Sequence, residues 1–208
     1  PFTVIGNDGG LLVSPATAST IELGMGERLD LLVDFSALAA GQSLTLRCLG
    51  ARWDLVQFVG TGVPGVVYSP PAILSTIESL SGPSQPTRTF TFDGMSRING
   101  QEYDMHRIDF RVPSGVTERW RFKTGGNAPH PVHVHGASFQ VVSRTGGRGR
   151  LFPWESGWKD TVLLNDKETV DVLIRFDAFR GEYDGQYVMH CHQLEHEGMG
   201  MMTNFKVI

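Results

Sequence analysis

Hydrophobic residues in this chain fall into short, partly alternating runs, broken roughly every ten residues by glycine, proline, asparagine or aspartate, which is the signature of an antiparallel β-sandwich or barrel. Residues 2–5 open as a strand, and Asn7-Asp8-Gly9-Gly10 reads as a hairpin turn. Residues 19–23 alternate, 24–27 turn, 28–35 form a strand ending at Asp34, and 43–49 form another. Residues 36–40 supply one helical turn at most. Glycine and proline crowd 60–71, and Gly82-Pro83-Ser84-Gln85-Pro86 has no apolar pattern, so 82–86 is expected to separate a module at 1–81 from one at 87–208. In the second module 87–92, 108–112, 118–122, 139–143, 161–164, 169–176 and 183–190 read as strands or their approaches. Residues 93–100 are a turn-rich excursion, 113–115 a turn, 124–129 a loop and 145–150 a solvated arginine-glycine loop. No long amphipathic helical stretch competes with this pattern.

Against that background two stretches stand apart. His190-Cys191-His192-Gln193-Leu194-Glu195-His196-Glu197-Gly198-Met199-Gly200-Met201-Met202 gathers three histidines, a cysteine and several methionines at the end of a strand. Neighbouring side chains of a strand point to opposite faces, so Cys191 looks one way while His190 and His192 look the other. His130-Pro131-Val132-His133-Val134-His135 repeats the logic: His133 and His135 share a face and His130 leans to the opposite one. Pairing like faces predicts two metal sites back to back on one segment. One uses His130, Cys191 and His196, with Met201 available as a weak thioether ligand; two imidazoles and a thiolate with a distant methionine are the donor set of a blue-copper electron-transfer site. The other uses His133, His135, His190 and His192, an all-imidazole set suited to copper that binds oxygen. Zinc is the rival metal for Cys/His sets. A single cysteine between histidines of opposite parity favours copper.

Size and charge narrow the partners. The 208 residues can bury a sizeable core. A net charge of −4 argues against nucleic acid or an anionic membrane surface as the main partner, and no apolar run reaches the length of a membrane span. Of the two cysteines, Cys191 belongs to the metal cluster, which leaves Cys48 as a small core residue. His106, outside either motif, is expected to be a solvated strand-edge histidine. The chain starts in mid-strand at Pro1-Phe2-Thr3, as a piece of something longer would.

With these residues in hand the chain resembles the multicopper oxidase family of laccases, bilirubin oxidases and cuprous oxidases. The two histidine stretches carry the likeness, supported by Phe92-Asp93-Gly94, Ile98-Asn99-Gly100-Gln101, Gly157-Trp158-Lys159-Asp160-Thr161 and Gly24-Met25-Gly26-Glu27-Arg28-Leu29-Asp30. The resemblance implies an all-β fold of cupredoxin-like Greek-key sandwiches, with 87–208 the complete third domain and 1–81 the later part of the second. It implies type 1 copper on His130, Cys191, His196 and axial Met201, type 2 copper on His133, and a type 3 pair on His135, His190 and His192. Glu197 stands where the family keeps a carboxylate that relays protons toward oxygen, and Asp160 where the reductant approaches the type 1 site.

The family's trinuclear site takes eight histidines, four from its first domain; this chain has seven histidines in all and none before His106. A partner chain or N-terminal fragment is therefore expected to supply the first domain, the missing ligands and pairing for strand 2–5. With about four coppers in the complete enzyme, the implied activity is oxidation of a phenol, aromatic amine or similar small reductant coupled to reduction of O2 to water, in a periplasmic, secreted or cell-envelope setting. The other readings are a cupredoxin-type electron carrier with the type 1 site alone and a non-catalytic interaction module.

Overall fold

The computed structural model describes residues 1–66, 68–126, 129–177 and 185–208. The chain opens with β1 (Phe2–Asn7), β2 (Gly10–Ala18) and β3 (Leu29–Leu32), a three-stranded sheet in the order β2-β1-β3, followed by the separate hairpin β4 (Ser43–Cys48) and β5 (Trp53–Val59). Next come β6 (Arg88–Asp93), β7 (Arg97–Ile98), β8 (Phe110–Val112), β9 (Thr117–Thr124), β10 (His130–Val134) and β11 (Phe139–Gly146). A 3-10 turn at Pro153–Glu155 leads to β12 (Thr161–Leu164), β13 (Glu168–Arg175), β14 (Gln186–Cys191), the short helix α1 (Leu194–Gly198) and β15 (Met202–Val207).

From β6 onward the strands form two five-stranded sheets, β12-β10-β14-β15-β8 and β11-β13-β9-β6-β7. Consecutive strands from β8 to β14 change sheets, so the sandwich is stitched by crossovers between layers rather than by hairpins within one. The pairing is antiparallel except for β6 with β9 and β8 with β15.

The core follows from the period of two. In β9, Glu118, Trp120, Phe122 and Thr124 are buried while Arg119 and Arg121 face the other side and hold Asp171. Trp120 and Phe122 meet Phe90, Phe92, Phe110, Phe176 and Phe205 in one aromatic core between the sheets. A second cluster, Val4, Leu12 and Trp154, joins the first sheet to the Pro153–Glu155 turn, and Asn7 Nδ2 donates to Trp154 O at 3.0 Å and Ser156 O at 2.9 Å. The start of the chain is thereby fastened across residues 82–86 to the sandwich.

Several expectations are corrected. Residues 19–23 form no strand, because β2 begins earlier and ends at Ala18; β3 is shorter than 28–35. β5 was not expected, although Trp53–Val59 carries the apolar residues of a strand. Strand 2–5 has both edges paired, with β2 and β3, so it has no open edge awaiting a partner. Cys48 is half-buried on the β4–β5 hairpin and belongs to neither core cluster. His106 is exposed on a turn, not on a strand. The stretch 145–150 is exposed as expected except at Arg148, which reaches Glu155 at 2.9 Å and Glu22 at 3.0 Å and lies over the Phe152 ring. Residue 67 of the 60–71 stretch, 127–128 of the 124–129 loop and 183–184 of the expected last strand lie outside the described residues.

Candidate metal centre

β10 and β14 are antiparallel neighbours whose register sets Val132 opposite Cys191 and His133 opposite His190. Opposed residues of adjacent strands project to the same face, and the face alternates at each step. Val132 and Cys191 therefore enter the sandwich core, and His130 goes with them. His133 and His190 emerge on the reverse face, where His135 joins them.

The inner cluster lies at the end of the core. His130 and Cys191 are 0% exposed and His196 is 1% exposed. His196 arrives by a tight return: β14 ends at Cys191, α1 turns the chain, and Gly200, at φ +87, lets it double back, a conformation that favours glycine. Met201 N–H donates to His196 O at 2.9 Å and Cys191 N–H to Met201 O at 3.1 Å, so the fully buried Met201 is tied to both. His130 Nδ1 and His196 Nδ1 are 3.1 Å apart, and Cys191 Sγ lies 3.7 Å and 3.5 Å from them. A point equidistant from these three atoms is about 2 Å from each, the length of a metal–imidazole bond.

The outer cluster is His133, His135 and His190, whose donor atoms all lie within 4.8 Å of one another. His135 Nε2 and His190 Nε2 converge to 3.1 Å. His190 Nδ1 donates to the Cys191 carbonyl at 3.1 Å, which leaves Nε2 with the lone pair. His192 stands at the margin, its ring centre 5.4 Å from that of His190 and 5.8 Å from that of His133. An open cleft of about 400 Å³ adjoins the cluster, lined by His133, Val134, His135, Gly136, Ala137, Ser138 and Asp160.

Residues 75–208 match the model of the family described as multicopper oxidase. The chain belongs to the multicopper oxidase family. A bilirubin oxidase from Albifimbria verrucaria is 35% identical over 99% of this chain and 39% of its own length. A cell division protein FtsP from Dickeya dadantii is 32% identical over 98% of the chain and 45% of its own length. A crystal structure of a multicopper oxidase from Pediococcus acidilactici superimposes with a TM-score of 0.89 and 34% identity, covering all of this chain and 44% of that one. The chain spans less than half the length of these relatives. The fold is that of cupredoxin-like multicopper oxidase domains, as expected.

Family membership implies copper, and the inner donor set suits it: two imidazoles, one sulfur and a buried methionine tied to them by backbone hydrogen bonds. The outer set offers imidazole nitrogens only. Burial, with the neighbouring His196, holds His130 down at about 4; burial, with His133 and His190, does the same for His135, and it also lowers His196. These three imidazoles are therefore neutral and ready to ligate at neutral pH. Burial pushes the Cys191 thiol up to about 11, so metal uptake must displace its proton.

These shifts predict a pH dependence. Above pH 6.5 His130 is neutral whether folded or unfolded. Between about 6.5 and 4 the unfolded chain takes up a proton that the folded chain refuses, so stability falls as pH falls through that window. Allowing for screening, we expect a loss of about 2 kcal/mol from this site in metal-free protein, readable by urea melts from pH 7 to 4. A flat midpoint across that range contradicts the assignment.

Two acids were expected to act. Glu197 Oε2 lies 3.5 Å from His190 Nδ1, beside the outer cluster and partly open to solvent. Asp160, expected where a reductant approaches the inner cluster, sits beside His133 of the outer one. Its carboxylate is gripped by both guanidinium nitrogens of Arg28, accepts from Thr161 Oγ1 and lies 3.6 Å from His133 Nδ1, so it belongs to the outer cluster. Burial pushes its carboxyl up, but hydrogen bonds from His133, Arg28 and Thr161 outweigh that and hold it far below the usual carboxylate range. Sequence reasoning gave no role to Thr161 or Arg28, although both sit in segments that carried the family resemblance.

Proposed function

We propose that this chain forms the electron-accepting site and half of the oxygen-reducing site of a multicopper oxidase. One observation carries the reading: Cys191 and His190 are adjacent in sequence, yet each belongs to a different ligand cluster on opposite faces of β14. Copper, when bound, would supply one-electron chemistry at the inner cluster and reduction of O2 to water at the outer one. His130, Cys191, His196 and Met201 would hold type 1 copper; His133 would hold type 2, and His135, His190 and His192 the type 3 pair.

This chain's own contribution is geometry, insulation and protons. The covalent links from Cys191 to His190 and His192 give electrons a short path between the clusters. The enclosing core keeps water from the thiolate. Glu197, beside His190 and half in solvent, would hold protons for delivery to the outer face. The substrate class would be a phenol, aromatic amine or similar reductant.

Four histidines supply only half of the family's trinuclear ligands, so the rest would come from a segment or chain outside these 208 residues. The β4–β5 hairpin, with Trp53, Leu55 and Val59 more than half exposed, offers apolar surface for such a neighbour. A periplasmic, secreted or cell-envelope location accompanies this reading; among the described residues no helix is long and apolar enough to cross a membrane.

The similarity to FtsP keeps an interaction module as the second reading. Copper analysis with oxygen-uptake measurement separates the cases. About four coppers in the assembled protein with uptake fits the oxidase, one copper without uptake an electron carrier, and none the module. Met201→Leu is expected to raise the inner site's potential while keeping the blue colour, since it removes a weak axial sulfur; redox titration with an unchanged midpoint would argue against Met201 as ligand.

A further inference from the structure

We propose that Arg28 and Gly26, on the loop between β2 and β3, are positioning residues for His133 of the outer cluster and for His192 at its margin: Arg28 acts on His133 through Asp160, and Gly26 backs the ring of His192. The inference rests on the reading that the outer cluster holds copper.

His133 Nδ1 lies 2.9 Å from the Asp160 carbonyl oxygen, which can only accept, and 2.9 Å from Thr161 Oγ1. The Thr161 hydroxyl proton is already committed to Asp160 Oδ1 at 2.8 Å. His133 Nδ1 must therefore carry the proton, and Nε2 presents the lone pair to a metal. The Asp160 carbonyl favours this tautomer whatever the carboxylate does; losing the hold on the carboxylate lets the Thr161 hydroxyl turn its own proton toward Nδ1 and compete for the opposite one.

That hold is Arg28. Its two terminal nitrogens meet Oδ1 and Oδ2 of Asp160 at 2.6 Å and 2.7 Å, a bidentate geometry lysine cannot reproduce. Arg28 is itself fixed: it donates to Gly26 O and Asp8 O, each at 2.9 Å, and its backbone N–H reaches Asp8 Oδ1 at 2.7 Å. Asp8 is buried against Lys159 at 2.9 Å. An isolated exposed ion pair adds little to stability; this one ends on a residue beside His133.

Gly26 does the second task. At φ +84 it lies so close to His192 that an added Cβ would fall 2.5 Å from Cδ2 and 2.8 Å from Cγ of that ring. Only glycine permits this approach. Two segments that the sequence singled out, 24–30 and 157–161, thus meet as one support for the outer cluster.

The test has two readouts. In metal-free protein labelled with 15N-histidine, ring two-bond correlations should show His133 as a single Nδ1–H tautomer, and Arg28→Met should give a mixture, with Arg28→Lys between them. Arg28 is half exposed, so the variant should fold. In the assembled copper-loaded protein, Arg28→Met and Gly26→Ala should each weaken copper at the outer cluster about 10–100-fold with the Cys191-site absorption unchanged, the range seen for groups that orient ligands. A His133 tautomer that stays single in Arg28→Met overturns the Arg28 role, and unaltered outer-cluster affinity in Gly26→Ala overturns that of Gly26. Wild-type protein that takes no copper at the outer cluster overturns the oxidase reading instead, while the tautomer result stands by itself.

Discussion

Cys191→Ser is expected to abolish the blue absorption, remove one copper and lower oxygen uptake by more than about a hundredfold, since loss of mere orienting partners already weakens metal sites 10–100-fold. The serine hydroxyl keeps its proton at neutral pH, so the inner cluster would be left with two neutral imidazoles and no anionic donor. The outer cluster should survive. His190 takes its tautomer from the Cys191 backbone carbonyl, which the substitution leaves in place. The variant therefore separates electron entry from oxygen binding: copper analysis should show the outer coppers retained, and the oxygen electrode should show them idle. Persistence of the blue band in this variant would mean that the coloured site lies elsewhere.

The largest effect on stability is expected far from copper, at Arg144→Met. Arg144 is fully buried and donates to Leu163 O at 2.8 Å, to Glu168 Oε2 at 2.8 Å and to Glu155. Glu168 is also fully buried and has no other cation in reach among the described ion pairs, whereas Glu155 keeps Arg148. Removing one member of such a pair strands the other charge in low dielectric, at about 3–5 kcal/mol. For a chain of this size that lowers Tm by roughly 10 °C. Arg144→Met combined with Glu168→Leu should recover much of the loss, because no uncompensated charge remains. A single variant melting within about 2 °C of wild type would show that Glu168 is neutral or solvated in the folded chain.

β6 and β9 are legible because their burial alternates with the period of the pleat, as in Glu118–Trp120–Phe122–Thr124, and β12 and β13 because they are short runs buried nearly throughout. Strands whose surfaces are not packed on a core were harder to place. β5 has nearly every side chain exposed, so its apolar residues give no inward face to count from. β2 follows the expected hairpin turn at 7–10, but Pro15 and its irregular burial pattern leave its extent unmarked, and it ends at Ala18 before 19–23. The loop 145–150 is solvated, as its arginines and glycines imply, but the acids that hold Arg148, Glu22 and Glu155, cannot be inferred from local composition.

What the sequence determined by itself was the division of the ligands. Parity along two strands assigns His130 and Cys191 to one face and His133, His135 and His190 to the other, because a strand offers its side chains only two directions. What tertiary structure decided was everything resting on segments far apart in sequence. Asp160 meets His133 because Arg28, 132 positions away, pins its carboxylate there. Strand periodicity fixes which face a side chain leaves from; which charge it meets depends on how loops pack, and no local pattern encodes that.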